Sequence, residues 1–216
     1  MNNTFEIELR YEVLDRAQIL SFLASATQLH TKHDIDIYLD TPAHILWKRG
    51  IFIRIRNDKK LDIKFNRACL NDSTIDRLDY CEEHSFSLPL ESAILSKINS
   101  LLTSLDLKVL PIADLATLKS INELEEHYVV DKVRTTYIYN SFTLALDEVA
   151  DLGSFLEIEL MAENADNLEK VKDEMQLALT GLKLKPLRLG YGAMLLKKNH
   201  FESYLQGRYA LQEDRL

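Results

Sequence analysis

Phe5-Glu6-Ile7-Glu8-Leu9-Arg10-Tyr11-Glu12-Val13 alternates apolar and charged residues without a break, the pattern of a strand with one polar and one apolar face. In an ordinary half-buried strand the polar face is mixed and turned to water. Here charge is sorted by sign, and the sorting returns further along the chain. Ile51-Phe52-Ile53-Arg54-Ile55-Arg56 sets two arginines on one face, Ile63-Lys64-Phe65 sets a lysine, Lys132 and Arg134 flank Val133, and Glu157 and Glu159 lie between Leu156, Ile158 and Leu160. Residues two apart in a strand sit about 6–7 Å apart on one face. That spacing lets two carboxylates converge on one cation, or two guanidiniums on one phosphate chain.

Working outward, period-two alternation predicts eight strands, at 4–13, 34–40, 51–57, 60–66, 78–87, 127–139, 142–148 and 154–162. Short turns such as Asn57-Asp58-Lys59 and Asn140-Ser141 make neighbours antiparallel. Helical periodicity fills the gaps: 15–29, with Asp15 as N-cap and Gln18 three positions on, 91–105, 166–181 ending at Gly181, and the tail after Gly192. No repeat, low-complexity tract or linker divides the chain, so the reading is α+β, a single domain over residues 1–216. With 46% hydrophobic and 28% charged residues the chain can bury its own core, which excludes disorder, collagen and a disulfide scaffold. Cys69 and Cys81 are expected to be free thiols without a catalytic role. No run of eighteen apolar residues occurs and the start is charged, so a soluble, cytoplasmic protein without a membrane span is expected. The balance of 26 Lys+Arg against 34 Asp+Glu gives −8, the wrong sign for coating nucleic acid or an anionic membrane.

Any one charged strand reads most simply as a solvated outer face, its surface ion pairs worth about 0–1 kcal/mol each. Five such strands change the balance. If helices cover the apolar faces, the charged faces line the inside of a curved or closed sheet. Such a lining calls for a metal and an anion to neutralise it. Carboxylates without histidine or cysteine favour Mg²⁺ or Mn²⁺, and Mg²⁺ commonly shares its shell with substrate phosphates. Guanidiniums and ammoniums then hold the remaining phosphate oxygens, so a polyphosphate meets both demands.

These residues resemble the CYTH superfamily of triphosphate tunnel metalloenzymes, which includes thiamine triphosphatases, inorganic triphosphatases and class IV adenylyl cyclases. The signature Glu-x-Glu-x-Lys stands as Glu6-Ile7-Glu8-Leu9-Arg10, with arginine in place of lysine. It is followed in the family's order by Asp36-Ile37-Tyr38-Leu39-Asp40-Thr41-Pro42, the arginine strand at 51–56, Leu61-Asp62-Ile63-Lys64, Asp131-Lys132-Val133-Arg134 and the segment from Leu146-Asp147 to Glu157-Ile158-Glu159. A weaker match stands at Gly190-Tyr191. The resemblance implies an eight-stranded antiparallel β-barrel tunnel with helices packed outside. It implies a divalent metal on Glu6, Glu8, Asp147, Glu157 and Glu159, and triphosphate held by Arg10, Arg54, Arg56, Lys64, Lys132 and Arg134. Tyr38 and Lys64 match a dyad for water activation. Glu82 is expected to face the tunnel, with Glu83 the alternative if the register slips by one. The helical stretch at 89–124 has no match in the signature and is expected to shape access to one mouth.

His30, His33, His44, His84, His127 and His200 lack metal-ligand spacing and are read as surface or packing residues. Trp47 is read as packing near a turn, against the alternative of stacking on a substrate ring, and Lys197-Lys198 as a solvated helix face. The expected function is metal-dependent hydrolysis of thiamine triphosphate or inorganic triphosphate by a monomer or homodimer. The alternatives are a cyclase converting ATP to cyclic AMP and pyrophosphate, and a noncatalytic polyphosphate or nucleotide binder.

Overall fold

Nine strands form one antiparallel sheet among the described residues, 5–71, 81–162 and 168–216 of the computed structural model. They are β1 (Phe5–Val13), β2 (Thr27–Asp40), β3 (Ile51–Arg56), β4 (Lys60–Phe65), β5 (Glu82–Ser87), β6 (Glu125–Tyr139), β7 (Phe142–Val149), β8 (Gly153–Ala162) and β9 (Leu184–Leu187). Their spatial order is β5-β4-β3-β2-β6-β7-β8-β1-β9. The helices are α1 (Arg16–Leu23), α2 (Ile45–Arg49), α3 (Arg67–Asn71), α4 (Leu95–Ser104), α5 (Leu115–Ile121), α6 (Leu168–Ala178), α7 (Tyr191–Asn199) and α8 (Phe201–Gln206). None is long and apolar enough to cross a membrane.

Alternation decides which face each strand buries. Ile53, Ile55, Leu61, Ile63 and Phe65 of β3 and β4 pack on Ile98, Leu102 and Leu118 of α4 and α5. Ile7, Leu144, Leu156 and Ile158 of β1, β7 and β8 pack on Ile19 and Leu23 of α1 and Met175 of α6. Helices α1, α4, α5 and α6 thus cover the convex side, and the charged positions between these residues turn to the concave side. There the sheet rolls around a cavity of about 920 Å³, lined by residues from β5 at one edge to β9 at the other. The expected eight-strand count becomes nine because Leu184-Lys185-Pro186-Leu187 adds an edge strand beside β1. The backbone ladder has β5 and β9 as its edges and does not close among the described residues.

Local chemistry accounts for the joints. Asn57 and Asp58 take φ of 51° and 54° in the β3–β4 turn, a conformation that Asn and Asp tolerate better than most residues. Asp15 caps α1, its carboxylate accepting from the Gln18 N–H at 3.1 Å. The expected helix at 15–29 ends six residues early, because 27–29 belong to β2. The expected starts of the fifth strand at 78 and of the helix at 166 lie outside the described residues.

The C-terminal segment packs on the concave side. Tyr191 and Leu195 of α7 meet Val130, Val149 and Phe155. Trp47 is buried among Leu189, Ala193, Leu196 and Tyr204, and its indole N–H donates to the Ser203 carbonyl at 2.9 Å. Lys197 is not simply solvated: it pairs with Asp214 at 2.6 Å, and the same carboxylate accepts from Tyr204 at 2.6 Å.

Candidate active site

In β1 and β8 the register sets Glu8 directly opposite Glu159, and Arg10 opposite Glu157. Like charges directly opposite destabilise a sheet unless a cation lies among them. Two guanidiniums supply that charge. Arg10 donates to both Glu8 and Glu157. Arg134 of β6 donates to Glu157 and stands 3.5 Å from Glu159. Oxygens of Glu8, Glu157 and Glu159 lie within 4.8 Å of one another. An all-oxygen, all-carboxylate set of this kind fits a hard divalent cation such as Mg²⁺ or Mn²⁺.

Asp147, fully buried, is engaged differently. Arg134 grips it in a fork at 2.7 and 2.6 Å, the Tyr191 hydroxyl donates to it at 2.9 Å, and Lys132 lies 3.8 Å away. It stands outside the three-carboxylate cluster and anchors Arg134. Glu6 pairs with Met161 through the backbone, and its side chain lies outside the described residues.

The opposite wall comes from β2 to β5. Arg56 forms a fork on Asp36 at 2.6 and 2.9 Å. Arg54 reaches Asp62 at 3.0 Å, Glu83 at 2.9 Å and the Tyr38 hydroxyl at 3.4 Å. Lys64 lies 3.8 Å from Glu83. Tyr38 stacks on Tyr128, with ring centroids 4.6 Å apart. In β5 the register opposes Lys64 with Glu83, so Glu83 lines the cavity. Glu82, the residue expected there, turns the other way to Arg67 at 2.7 and 2.9 Å. The slip of one position exchanges the faces.

Asp36, Asp62, Tyr128 and Tyr191 also line the cavity and are residues to which the sequence reading gave no role, whereas Glu83 is the alternative it named. Asp36 and Asp62 had a signal, since each stands two positions before a singled-out residue, Tyr38 and Lys64, and so shares its face. Tyr191 arrives from α7, and no local pattern places that helix against Asp147.

Electrostatics are strongly coupled. Burial pushes the Glu157 carboxyl up, but Arg10, Arg134 and Lys132 outweigh it and hold it well below the usual carboxylate range. Burial likewise opposes ionisation of Asp36, and Arg56 and Arg54 reverse the balance. Burial and the neighbouring Arg134 push the Lys132 ammonium below the usual lysine range. Burial beside Glu157 pushes the Tyr191 phenol up, which keeps it a neutral donor to Asp147.

An antiparallel sheet rolled around a cavity, helices outside, and an interior in which clustered carboxylates face guanidiniums together define a β-protein with a charged interior. The CYTH domain family model matches residues 4–188, and the chain belongs to the CYTH family. Solved structures agree on the fold. A candidate adenylate cyclase from Vibrio parahaemolyticus is 18% identical, with 88% of this chain and 97% of that one covered at a TM-score of 0.60. PH1819 from Pyrococcus horikoshii OT3 is 21% identical, with 90% and 99% covered at 0.57. HpAC1 from Hippeastrum, a candidate adenylyl cyclase with a dominant triphosphatase activity, is 20% identical, with 91% and 96% covered at 0.59. No curated protein sequence matches the chain.

Proposed function

We propose that the chain is a divalent-metal-dependent triphosphatase acting on thiamine triphosphate or inorganic triphosphate inside the charged cavity. The observation that carries the reading is the meeting of Glu8, Glu157 and Glu159 within 4.8 Å in a cavity that Arg10, Arg54, Arg56, Lys132 and Arg134 also line. Glu8, Glu157 and Glu159 would hold Mg²⁺ or Mn²⁺, which when bound neutralises charge developing on the phosphates. Phosphate oxygens offer guanidiniums the same two-pronged acceptor as a carboxylate. Arg10 and Arg134 therefore exchange part of their carboxylate contacts for phosphate, while Asp147 keeps Arg134 in place. Arg54, Arg56 and Lys132 bind the rest of the chain of phosphates. Tyr38 and Lys64, on the strands either side of β3, orient the water that attacks the terminal phosphorus. The triphosphatase activity of HpAC1, of the same fold, favours hydrolysis over cyclisation.

The test is phosphate release from thiamine triphosphate, inorganic triphosphate and ATP with Mg²⁺ or Mn²⁺, with cyclic AMP assayed in parallel. Metal-dependent phosphate release without cyclic AMP is expected. Cyclic AMP as the main product, or tight triphosphate binding with no turnover of any substrate, overturns the reading.

A further inference from the structure

Away from the carboxylates of the cavity, β2 ends at Asp40 and the chain turns through Thr41 into α2. Asp40 is held rigidly there: its Oδ1 accepts from the N–H groups of Thr41 and Leu46 at 2.7 and 2.9 Å, and its Oδ2 from that of Trp47 at 2.8 Å. His44, four residues on, takes a left-handed backbone with φ 55° and ψ 41°, a conformation costly for a residue other than glycine and concentrated at functional sites. Across the sheet, β2 and β6 slip register: Tyr38 faces Tyr128 while Leu39 faces Glu126. His127 is thus the extra residue of a β-bulge, a device that re-aims one side chain. It is aimed at His44, their ring centroids 4.4 Å apart.

One ligand atom from each of Asp40, His44 and His127 lies within 4.8 Å of the others. His44 Nδ1 and His127 Nε2 are also buried without any hydrogen-bond partner among the described residues. An unpartnered buried polar atom calls for an explanation, and two such nitrogens from facing rings beside a fixed carboxylate have one in common. We propose that Asp40, His44 and His127 bind a transition-metal ion, Zn²⁺ by donor chemistry, at a site separate from the triphosphate cavity. Two imidazoles and a carboxylate match zinc rather than Mg²⁺, and three protein donors leave one tetrahedral position for an exchangeable ligand. The backbone bonds to Asp40 orient the carboxylate as outer partners do in metal sites. Because Tyr38 and Tyr128 adjoin these ligands on the same strands, the ion would also brace the aromatic stack at the cavity wall. The inference does not depend on the proposed triphosphatase activity.

The test is zinc titration of the full chain by chelator competition in excess Mg²⁺, with Co²⁺ as a spectroscopic substitute. Wild type is expected to bind one Zn²⁺, to give the visible absorption of tetrahedral Co²⁺, and to melt at higher temperature with zinc. His127→Gln, and His44→Asn, which suits the left-handed backbone, are expected to weaken zinc by more than about tenfold. Glu8→Gln is expected to retain it. If the histidine variants fold poorly, the wild-type ring NMR decides: zinc is expected to shift two of the six histidines. Absence of zinc binding by wild type in excess Mg²⁺, loss of the bound zinc in Glu8→Gln with retention in His127→Gln, or unmoved histidine signals would overturn the proposal.

Discussion

Glu157, 1% exposed, receives hydrogen bonds from both Arg10 and Arg134, so a change there tests charge with little change of shape. If the proposed hydrolysis holds, Glu157→Gln is expected to lower metal-dependent kcat by about 100-fold or more, since a group proposed to order charge in the transition state is lost. Arg54→Ala is expected chiefly to raise KM, by about tenfold, because ground-state and transition-state phosphate binding fall together. Steady-state kinetics over a metal titration check both, and wild-type turnover by Glu157→Gln in the presence of chelator contradicts the first. At this scale the cavity lining was legible wherever charge alternated with aliphatic residues, as at Glu8, Arg10, Arg54, Arg56, Glu157 and Glu159. It was illegible where a residue's role depends on its partner: Asp147 reads as one more carboxylate until Arg134 and Tyr191 are seen to occupy it.

Among the elements, the C-terminal segment depends on close approach to α2. A Cβ built on Gly207 would lie 2.2 Å from the Trp47 ring, and Arg208 N–H donates to the Trp47 carbonyl at 3.2 Å. Gly207→Ala is therefore expected to displace the rigid indole or the tail, at about 1–3 kcal/mol. Thermal melting reads the loss, and the chain's one tryptophan makes emission a local reporter; unchanged melting and emission would refute the assigned contact. Strands with one apolar face were readable from their alternation, and so was the helical character of 91–105. The first half of β2 was not, because Thr27 to His33 is exposed along its length and carries no apolar alternation. β9 escaped because it has four residues, one of them Pro186, a residue that ordinarily argues against a strand.

For the molecule as a whole, the interior ion pairs set the response to acid. The carboxyls of Asp36 and Glu157 are held below their ordinary range in the folded chain. Protons therefore bind the unfolded chain more tightly, and the stability these groups contribute is complete above the ordinary carboxylate values of about 4 and fades as pH falls below them. Melting temperature is expected to fall progressively as pH drops below about 4. Asp36→Asn is expected to melt lower at neutral pH, because Arg56 and Arg54 lose a buried partner, and to show a shallower acid decline. An equally steep decline in that variant would assign acid sensitivity elsewhere.

The open sheet edges at β5 and β9 add a mechanical consequence. Arg54, Arg56 and Lys64 ride on strands at one end of the sheet, Glu8 and Glu159 on strands at the other, and the two ends join through the long β2–β6 ladder. Each end also has its own helices and its own apolar centre. A molecule gripped by both sets of charges would act as a clasp across two leaves that share a single spine, turning occupancy of the interior into stiffness of the entire shell.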